Sequence, residues 1–329
     1  SERHQKLKFR SFSDSGYRGP IGHVYSCVRL MAGRQEQHSL SLADGNSWAS
    51  RRFQKALEAT VTVAITLIGD SQRIESMTND ILLKPTRILD FNGSTIRDLV
   101  DARGWRDLPQ GDRIGAVYDF VRNEILFGYN RSDSISASKV LADGYGQCNT
   151  KGTLLMALLR SVGVRCRIHG FTIHKALQRG VVPELLYPIA PDEILHSWIE
   201  VDTARGWKNL EGFILDQGFL GSLQARFADT ESLCGYGVGT ECLSAPPVQW
   251  NGNDTYIQKS GIVADLGTFD SPDRFYEAHK QNFGPMRGVL YRQVVRHWMN
   301  VRVQAIRSGR VTTFPEKTNH AHRKPVQTT

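Results

Sequence analysis

Hydrophobic and polar positions recur with different periods along the chain, and these periods predict its elements. Residues 60–67, TVTVAITL, place an apolar side chain at every second position, which predicts a strand. Residues 112–125 repeat apolar side chains at helical spacing, which predicts a helix with one apolar face. A second helix is predicted to begin near Cys148, where leucines recur at helical spacing. It should end before Gly163, since glycine is favoured just beyond a helix.

The region after the second helix has the pattern of a sheet. Three short apolar runs, residues 164–172, 195–201 and 206–210, predict strands. Residues 175–192 contain proline and lack a regular period, which predicts a loop beside these strands. Helical spacing returns in residues 292–307, so we expect a helix near the C-terminus.

These changes of pattern divide the chain into segments. No core-forming pattern precedes Met31, which raises the hypothesis that the natural chain starts there; the intact mass of the natural protein would test it. We predict five segments: a basic and poorly ordered N-terminal segment over residues 1–55, a strand-containing lead-in over 56–82, a packed domain over 83–245, a C-terminal helical extension over 246–314 and a tail over 315–329.

Composition and charge narrow the class of protein. The 329 residues carry a formal charge of +8, but residues 1–55 and 301–329 hold all of this excess, and the body between them is slightly acidic. We therefore interpret the positive charge as solvated ends and do not expect a nucleic-acid function. No apolar stretch is long enough to span a membrane, and five cysteines are too few for a disulfide scaffold. These features predict a soluble, cytoplasmic protein without membrane attachment.

Cys148 is the first candidate for chemistry. It follows Gly144 and Gly146 at the predicted start of the second helix. The free backbone N–H groups and the helix dipole favour a negative charge there, so they favour thiolate over thiol. The same N–H groups can stabilise the oxyanion that forms when a thiolate attacks an acyl carbon. A buried packing cysteine is the alternative interpretation, because most cysteines have that role.

His196 lies in the predicted strand HSWIEV, where alternate side chains face opposite sides of the sheet. A histidine on a strand can face a cysteine at a helix start, as a cysteine–histidine pair requires. The imidazole then needs an acidic partner that orients it. Glu211 and Asp216 follow His196 by 15 and 20 residues, on or after the next predicted strand, and Asp202 is a weaker third alternative.

Three separated motifs carry a resemblance to a known family. These are GYGQCNTKGTLLMALLRSVGVRCRIHG, then HSWIEV, then GWKNLEG, in this order. Together they resemble the transglutaminase-like superfamily of papain-type cysteine enzymes, over about residues 83–220. The resemblance implies an α+β fold over the packed domain of residues 83–245, a papain-like transglutaminase core with helices packed on an antiparallel sheet and the nucleophile at a helix N-terminus. It also implies that Cys148 is the nucleophile and that His196 is the general base and acid.

The third position departs from the family pattern, since Glu211 stands where the family usually has aspartate. Glutamate has a longer reach and can still orient an imidazole, so we predict a triad of Cys148, His196 and Glu211 and keep Asp216 as the alternative. Gln147 can either donate a hydrogen bond to the oxyanion or only fill the turn before Cys148. Nothing resembles a calcium loop, and we expect no metal and no cofactor.

These observations favour a cysteine-dependent hydrolase or acyltransferase that forms a thioester with an amide or ester substrate. The expected partner is a protein or peptide amide, with water or an amine as the acceptor. Two alternatives remain: a transglutaminase-like binding module that has lost turnover, and an interaction protein that acts through its basic ends. The sequence does not distinguish hydrolysis from amine transfer and does not identify the substrate or the oligomeric state.

Overall fold

The computed structural model describes Lys55, residues 80–281 and residues 284–312. The chain divides into two units, residues 1–77 and 78–329, and the description below concerns the second. The strand predicted over residues 60–67 and the tail predicted over 315–329 lie outside the described residues, as does Met31.

The described part contains helices and both short and long strands. The helices are α1 (Ser94–Arg103), α2 (Gln110–Asn123), α3 (Ala137–Asp143), α4 (Cys148–Ser161), α5 (Gln217–Arg226), α6 (Pro272–Ala278), α7 (Gly284–Leu290) and α8 (Arg296–Arg307), with a π-helical turn at Tyr291–Val295 between the last two. The strands are β1 (Leu126–Phe127), β2 (Tyr145–Gly146), β3 (Cys166–His174), β4 (Glu193–Thr203), β5 (Gly206–Leu210), β6 (Leu233–Gly235), β7 (Val238–Thr240) and β8 (Ile262–Phe269).

Helix α4 lies at the centre of the described unit, and every residue from Cys148 to Arg160 is buried. A helix that is buried on all sides lies in a core rather than at a surface, and its buried polar residues, such as Lys151, are hydrogen-bonded to neighbouring backbone. It begins directly after β2, where a Cβ on Gly146 would lie 2.6 Å from Thr150 Oγ1, so only glycine fits this turn. The helix ends as predicted, because Gly163 follows it with a φ of +77°.

The main sheet packs against this helix. Its four strands are antiparallel and have the order β5–β4–β3–β8. On β4, Ile199 contacts α4 at Gly152, whereas Trp198 packs on Phe171 on the other face. The predicted alternation of side chains along this strand is therefore present, and the predicted α+β class with an antiparallel sheet is confirmed.

Most of the predicted elements in the described region are present with shifts of a few residues at their ends. The helix predicted over 112–125 is α2, the three predicted strands are β3, β4 and β5, and residues 292–307 form the π-helical turn and α8. The predicted loop over 175–192 is irregular apart from short 3₁₀ turns.

Strand β8 is the main difference from the sequence prediction. It lies in the segment predicted as a helical extension over 246–314, yet it pairs with β3 in the main sheet. The sheet therefore continues past the boundary placed at residue 245. The sequence IVADLGTF gives a weak strand signal, because β8 is an edge strand whose side chains are half-buried or exposed. Its pairing with β3, and not its own pattern, stabilises it.

The C-terminal helix is fixed to the core by polar contacts. Asn300 exchanges hydrogen bonds with the backbone of Tyr129, at 2.7 Å to its N–H and 3.1 Å to its carbonyl. Arg307 donates to Asp216 and to the carbonyl of Phe127 at 2.7 and 2.9 Å. Helix α8 is thus part of the unit that contains α4. None of the helices in the described ranges combines the length and the apolar character needed to cross a bilayer.

Candidate active site

Cys148 is the first residue of α4 and opens onto a cavity. Its side chain is 9% exposed and lines a cavity of about 780 Å³. The residue therefore combines a helix N-terminus with limited access from outside. The backbone N–H groups of the first helical turn lack partners within the helix, so they favour a thiolate or an oxyanion at this position.

His196 and Glu211 form a buried hydrogen-bonded pair. His196 Nε2 lies 2.8 Å from Glu211 Oε1, and both side chains are 0% exposed. The other ring nitrogen, Nδ1, is buried and makes no hydrogen bond of good geometry with any residue that the structure describes. Since Glu211 occupies Nε2, Nδ1 is the nitrogen left for Cys148.

The electrostatics couple these three residues. Burial alone would lower the pKa of His196, but its interactions with Cys148 and Glu211 outweigh burial and raise the pKa to about 10. An imidazole with a raised pKa carries a proton at neutral pH, which is the form that accompanies a thiolate. The structure thus brings together the three residues that the sequence predicted as a triad.

A segment downstream of the strand holds the carboxylate of Glu211. Its Oε2 accepts hydrogen bonds from the backbone N–H groups of Ile257 and Gln258, at 2.8 and 3.0 Å. The Glu211 backbone N–H donates to the carbonyl of Thr255 at 3.1 Å. With Oε1 on His196 and Oε2 on two N–H groups, the carboxylate has one orientation.

The two alternative acids lie in other contacts. Asp216 caps α5 through the N–H of Phe219 at 2.9 Å and forms an ion pair with Arg307. Burial raises the pKa of Asp216, but the hydrogen bonds from Arg307 and from backbone N–H groups outweigh it and lower the pKa. Asp202 forms an ion pair with Arg165 at the surface. The acid that contacts His196 is therefore Glu211.

Asn149 connects the helix start to the strand that carries His196, and the sequence analysis missed it. Its Nδ2 donates to the carbonyl of Leu195 at 3.1 Å, and its Oδ1 accepts from Ser197 Oγ at 2.9 Å. These partners flank His196 on β4. Because Asn149 directly follows Cys148, the two contacts fix the cysteine relative to the histidine. Its only sequence signal was its position beside Cys148.

Both the oxygen and the nitrogen of the Gln147 side-chain amide make hydrogen bonds within the protein. Its Oε1 accepts from the N–H of Asn130 at 3.0 Å, and its Nε2 donates to Asp133 Oδ1 at 2.8 Å. The backbone N–H of Gln147 donates to Thr150 Oγ1 at 3.1 Å. These contacts stabilise the turn before Cys148. Burial raises the pKa of Asp133, which also lines the cavity.

Much of the cavity wall comes from residues that the sequence analysis did not single out. Its apolar portion includes side chains from the loop before β4, from β4 itself and from the C-terminal helical region: Val182, Leu186, Leu195, Val295 and Met299. Its polar portion includes Tyr129, Gln178 and Gln258, which are all buried. No motif marks these residues, and their contribution follows from the tertiary contacts of α8.

The remaining cysteines of the described region do not join this site. Cys166 is buried in β3, and burial raises its pKa to about 11, although Arg160 opposes this shift. Cys234 and Cys242 are exposed and form no disulfide. Within residues 80–281 and 284–312, no group of three or more histidine, cysteine or acidic side chains has the geometry to hold a metal ion.

Comparison with known proteins agrees with the class that the fold and the site indicate. Residues 102–211 match the family model of the Transglutaminase-like superfamily, so the chain carries a domain of this superfamily, as the motifs predicted. This range contains Cys148 and His196 and ends at Glu211. It identifies a domain of the cysteine-enzyme type.

A solved structure described as a "putative cysteine protease" from Cytophaga hutchinsonii is also similar, with 12% sequence identity and a TM-score of 0.32. The similarity covers 58% of this chain and 47% of that chain, so it spans about half the length of that protein. No curated protein matches the chain.

Proposed function

We propose that the chain is a cysteine-dependent hydrolase or acyltransferase that acts on an amide or ester carbonyl through a thioester. The observation that carries the proposal is the buried hydrogen bond between His196 and Glu211, next to Cys148 at a helix start. The cavity that Cys148 lines is large enough for part of a peptide. A protein or peptide amide is therefore the proposed substrate.

In the first step, the Cys148 thiolate attacks the carbonyl carbon and forms a C–S bond. The charge that develops on the carbonyl oxygen lies near the N–H groups at the start of α4. His196, protonated at neutral pH because its pKa is raised to about 10, gives a proton to the leaving amine or alcohol. The bond between carbonyl carbon and leaving group breaks, and a thioester remains on Cys148.

In the second step, water or an amine attacks the thioester. His196, now neutral, accepts a proton from the attacking group, and the C–S bond breaks. Water gives a carboxylic acid, whereas an amine gives a new amide. Glu211 acts in both steps by holding His196 in one tautomer and by stabilising the imidazolium.

A binding module without turnover is the competing function. Its support in the sequence was glutamate at the acid position. The contact of Glu211 with His196 at 2.8 Å supports the catalytic proposal instead, because it supplies the orienting acid.

The test is the alkylation of the full chain by iodoacetamide between about pH 5 and about pH 9, with each cysteine quantified by peptide mass spectrometry. Cys234 and Cys242 are internal references for exposed thiols. We expect Cys148 to react at least about tenfold faster than Cys242 near pH 6, because only a thiolate paired with an imidazolium persists there.

His196→Ala should remove this advantage, so that Cys148 reacts no faster than Cys242 near pH 6. His297→Ala is the matched control, since His297 is exposed on α8. A Cys148 that alkylates slowly at pH 6, with no response to His196→Ala, would contradict the proposed function.

A further inference from the structure

Gln258 lines the Cys148 cavity, and its side-chain amide has a buried oxygen without a hydrogen-bond donor in the described residues. The residue is 2% exposed and lines the cavity. Its backbone N–H donates to Glu211, and its side-chain Nε2 donates to the carbonyl of Gly237 at 2.6 Å. Its Oε1 is buried and has no hydrogen-bond partner within the described residues.

The orientation of this amide is fixed by its neighbours. If the amide were rotated by half a turn, Oε1 would meet the carbonyl oxygen of Gly237, and two acceptors would face each other. Oε1 must therefore remain the acceptor that lacks a donor. Buried polar groups in proteins are nearly always paired, so an unpaired acceptor on a residue of the cavity wall is a candidate partner for a ligand donor.

The surroundings indicate a neutral donor. Gln178 accepts a hydrogen bond from Tyr129, and both side chains line the cavity with Gln258. The nearby carboxylate of Glu211 is already held by His196 and two backbone N–H groups. An ammonium group bound at Oε1 would find both oxygens of Glu211 already hydrogen-bonded, whereas an amide N–H needs only a carbonyl oxygen.

Part of the cavity wall is apolar. The residues that line it are Val182 and Leu186 before β4, Leu195 on β4, and Val295 and Met299 in the C-terminal helical region. An amide N–H beside an apolar side chain is the chemistry of a peptide residue such as leucine. Both features lie in the same cavity as Cys148.

We propose that Gln258 is a specificity-determining residue, whose Oε1 accepts a hydrogen bond from a main-chain N–H of a peptide substrate with an adjacent apolar side chain. This inference rests on the proposed function of Cys148. Its region, downstream of residue 211, lies beyond the match to the family model.

The test uses N-acetyl-leucyl-leucyl chloromethyl ketone and two analogues in which oxygen replaces the N–H of the first or the second leucine. The rate of Cys148 inactivation is measured for the full chain with each probe. We expect one analogue to react about tenfold more slowly than the parent, since it has lost one hydrogen bond to a buried acceptor. In Gln258→Met, the ratio of the parent rate to this analogue's rate should fall to about one.

The ratio within one variant cancels any change in the reactivity of Cys148 itself. Gln224→Met is the matched control, because Gln224 donates to the backbone at residues 243 and 244, outside the cavity wall. The ratio should remain about ten in this variant. If Gln258→Met fails to fold, the wild-type ratios still decide: equal rates for all three probes would overturn the inference.

A ratio that persists in folded Gln258→Met would overturn it as well. Both results are distinguishable from failure of the proposed function. The proposed function fails when Cys148 shows no dependence on His196 with iodoacetamide. The inference fails when that dependence is present but the probe ratios do not respond to Gln258.

Discussion

The two sides of the cavity at Cys148 come from different parts of the chain. One side carries Cys148 at the start of α4, within the residues that match the family model, and the buried His196 on β4 interacts with it. The other side carries Gln258 and Met299 from the region after residue 211. We call the part with Cys148 the reactive side and the part after residue 211 the substrate side, although Val182, Leu186 and Leu195 of the matched residues also line the cavity. The proposed triad therefore lies in the matched region, whereas the cavity wall is built from both regions.

The two regions are nevertheless joined at one residue. Glu211 contacts His196 through one carboxylate oxygen and receives the N–H groups of Ile257 and Gln258 on the other. The downstream region thus completes the orientation of the pair as well as the wall of the cavity. Variants in each region can test how far this division holds.

Glu211→Gln should have the largest effect, because it acts where the two regions meet. Loss of the negative charge lowers the pKa of His196, so the imidazolium that accompanies the thiolate becomes less stable. We expect alkylation of Cys148 at pH 6 to slow by about 100-fold, measured with iodoacetamide. Glu241→Gln, at an exposed glutamate, is the control. A rate within about twofold of wild type would show that Glu211 does not activate the pair.

The same variant has a defined effect on stability. The pKa of His196 rises from 6.5 to about 10 on folding, so the folded state binds this proton more tightly. The resulting stabilisation is fully present below about pH 6.5 and is lost as the pH rises toward about 10. Urea unfolding at several pH values should therefore show that the difference between wild type and Glu211→Gln becomes smaller at high pH.

Asp216→Ala tests the attachment of the C-terminal helix to the core. The change removes the cap of α5 and the ion pair with Arg307, so we expect a loss of about 2 kcal/mol in the free energy of unfolding. The pKa of Asp216 is lowered in the folded state, so this stabilisation is present above about pH 4 and decreases as the pH falls further.

Urea unfolding of wild type and Asp216→Ala at neutral and acidic pH measures both expectations. Asp229→Ala provides a control at an exposed aspartate. If Asp216→Ala were as stable as wild type but slowed Cys148 alkylation, Asp216 would act on the reactive pair and the assignment of Glu211 would be wrong.

Asn149→Ala should have a smaller effect that stays on the first side of the cavity. It removes the contacts with Leu195 and Ser197, which hold the helix start against the strand of His196. We expect Cys148 alkylation at pH 6 to slow by about tenfold, because the pair is less well aligned. Ser197→Ala removes one of the same contacts and should show a smaller loss. An unchanged rate in both variants would mean that other packing aligns the pair.

The sequence predicted the reactive side of the cavity better than its substrate side, for a physical reason. Cys148 and His196 are marked by local features, a glycine turn before a helix and an alternating strand, that are visible in short windows. The choice between Glu211 and Asp216 depended on the direction of the chain after β5, which spacing alone does not determine. Strands β3, β4 and β5 were predicted from their apolar runs. The same method failed for β8, because its alternation of apolar and polar side chains is weak.

The missed residues act through contacts that are distant along the chain. Asn149 bonds to a residue 46 positions away, and Gln258 bonds to one 47 positions away. Neither residue belongs to a type that is reactive by itself. Their roles depend on which elements pack together, so a single sequence without tertiary contacts contains no local signal for them.

Val295→Ala should have the smallest effect, and it tests the substrate side of the cavity alone. Val295 ends the π-helical turn and lines the cavity, whereas Val294 beside it is 51% exposed and is absent from the cavity wall. Removal of two methyl groups from an apolar wall weakens the binding of a leucine side chain. We expect inactivation by N-acetyl-leucyl-leucyl chloromethyl ketone to slow by about threefold, with iodoacetamide alkylation within about 1.5-fold of wild type. Val294→Ala, which makes the same chemical change on the exposed face, should leave both rates unchanged. Equal losses in the two valine variants would indicate a general loosening of the helix, and the division into a reactive side and a substrate side would then be wrong at this position.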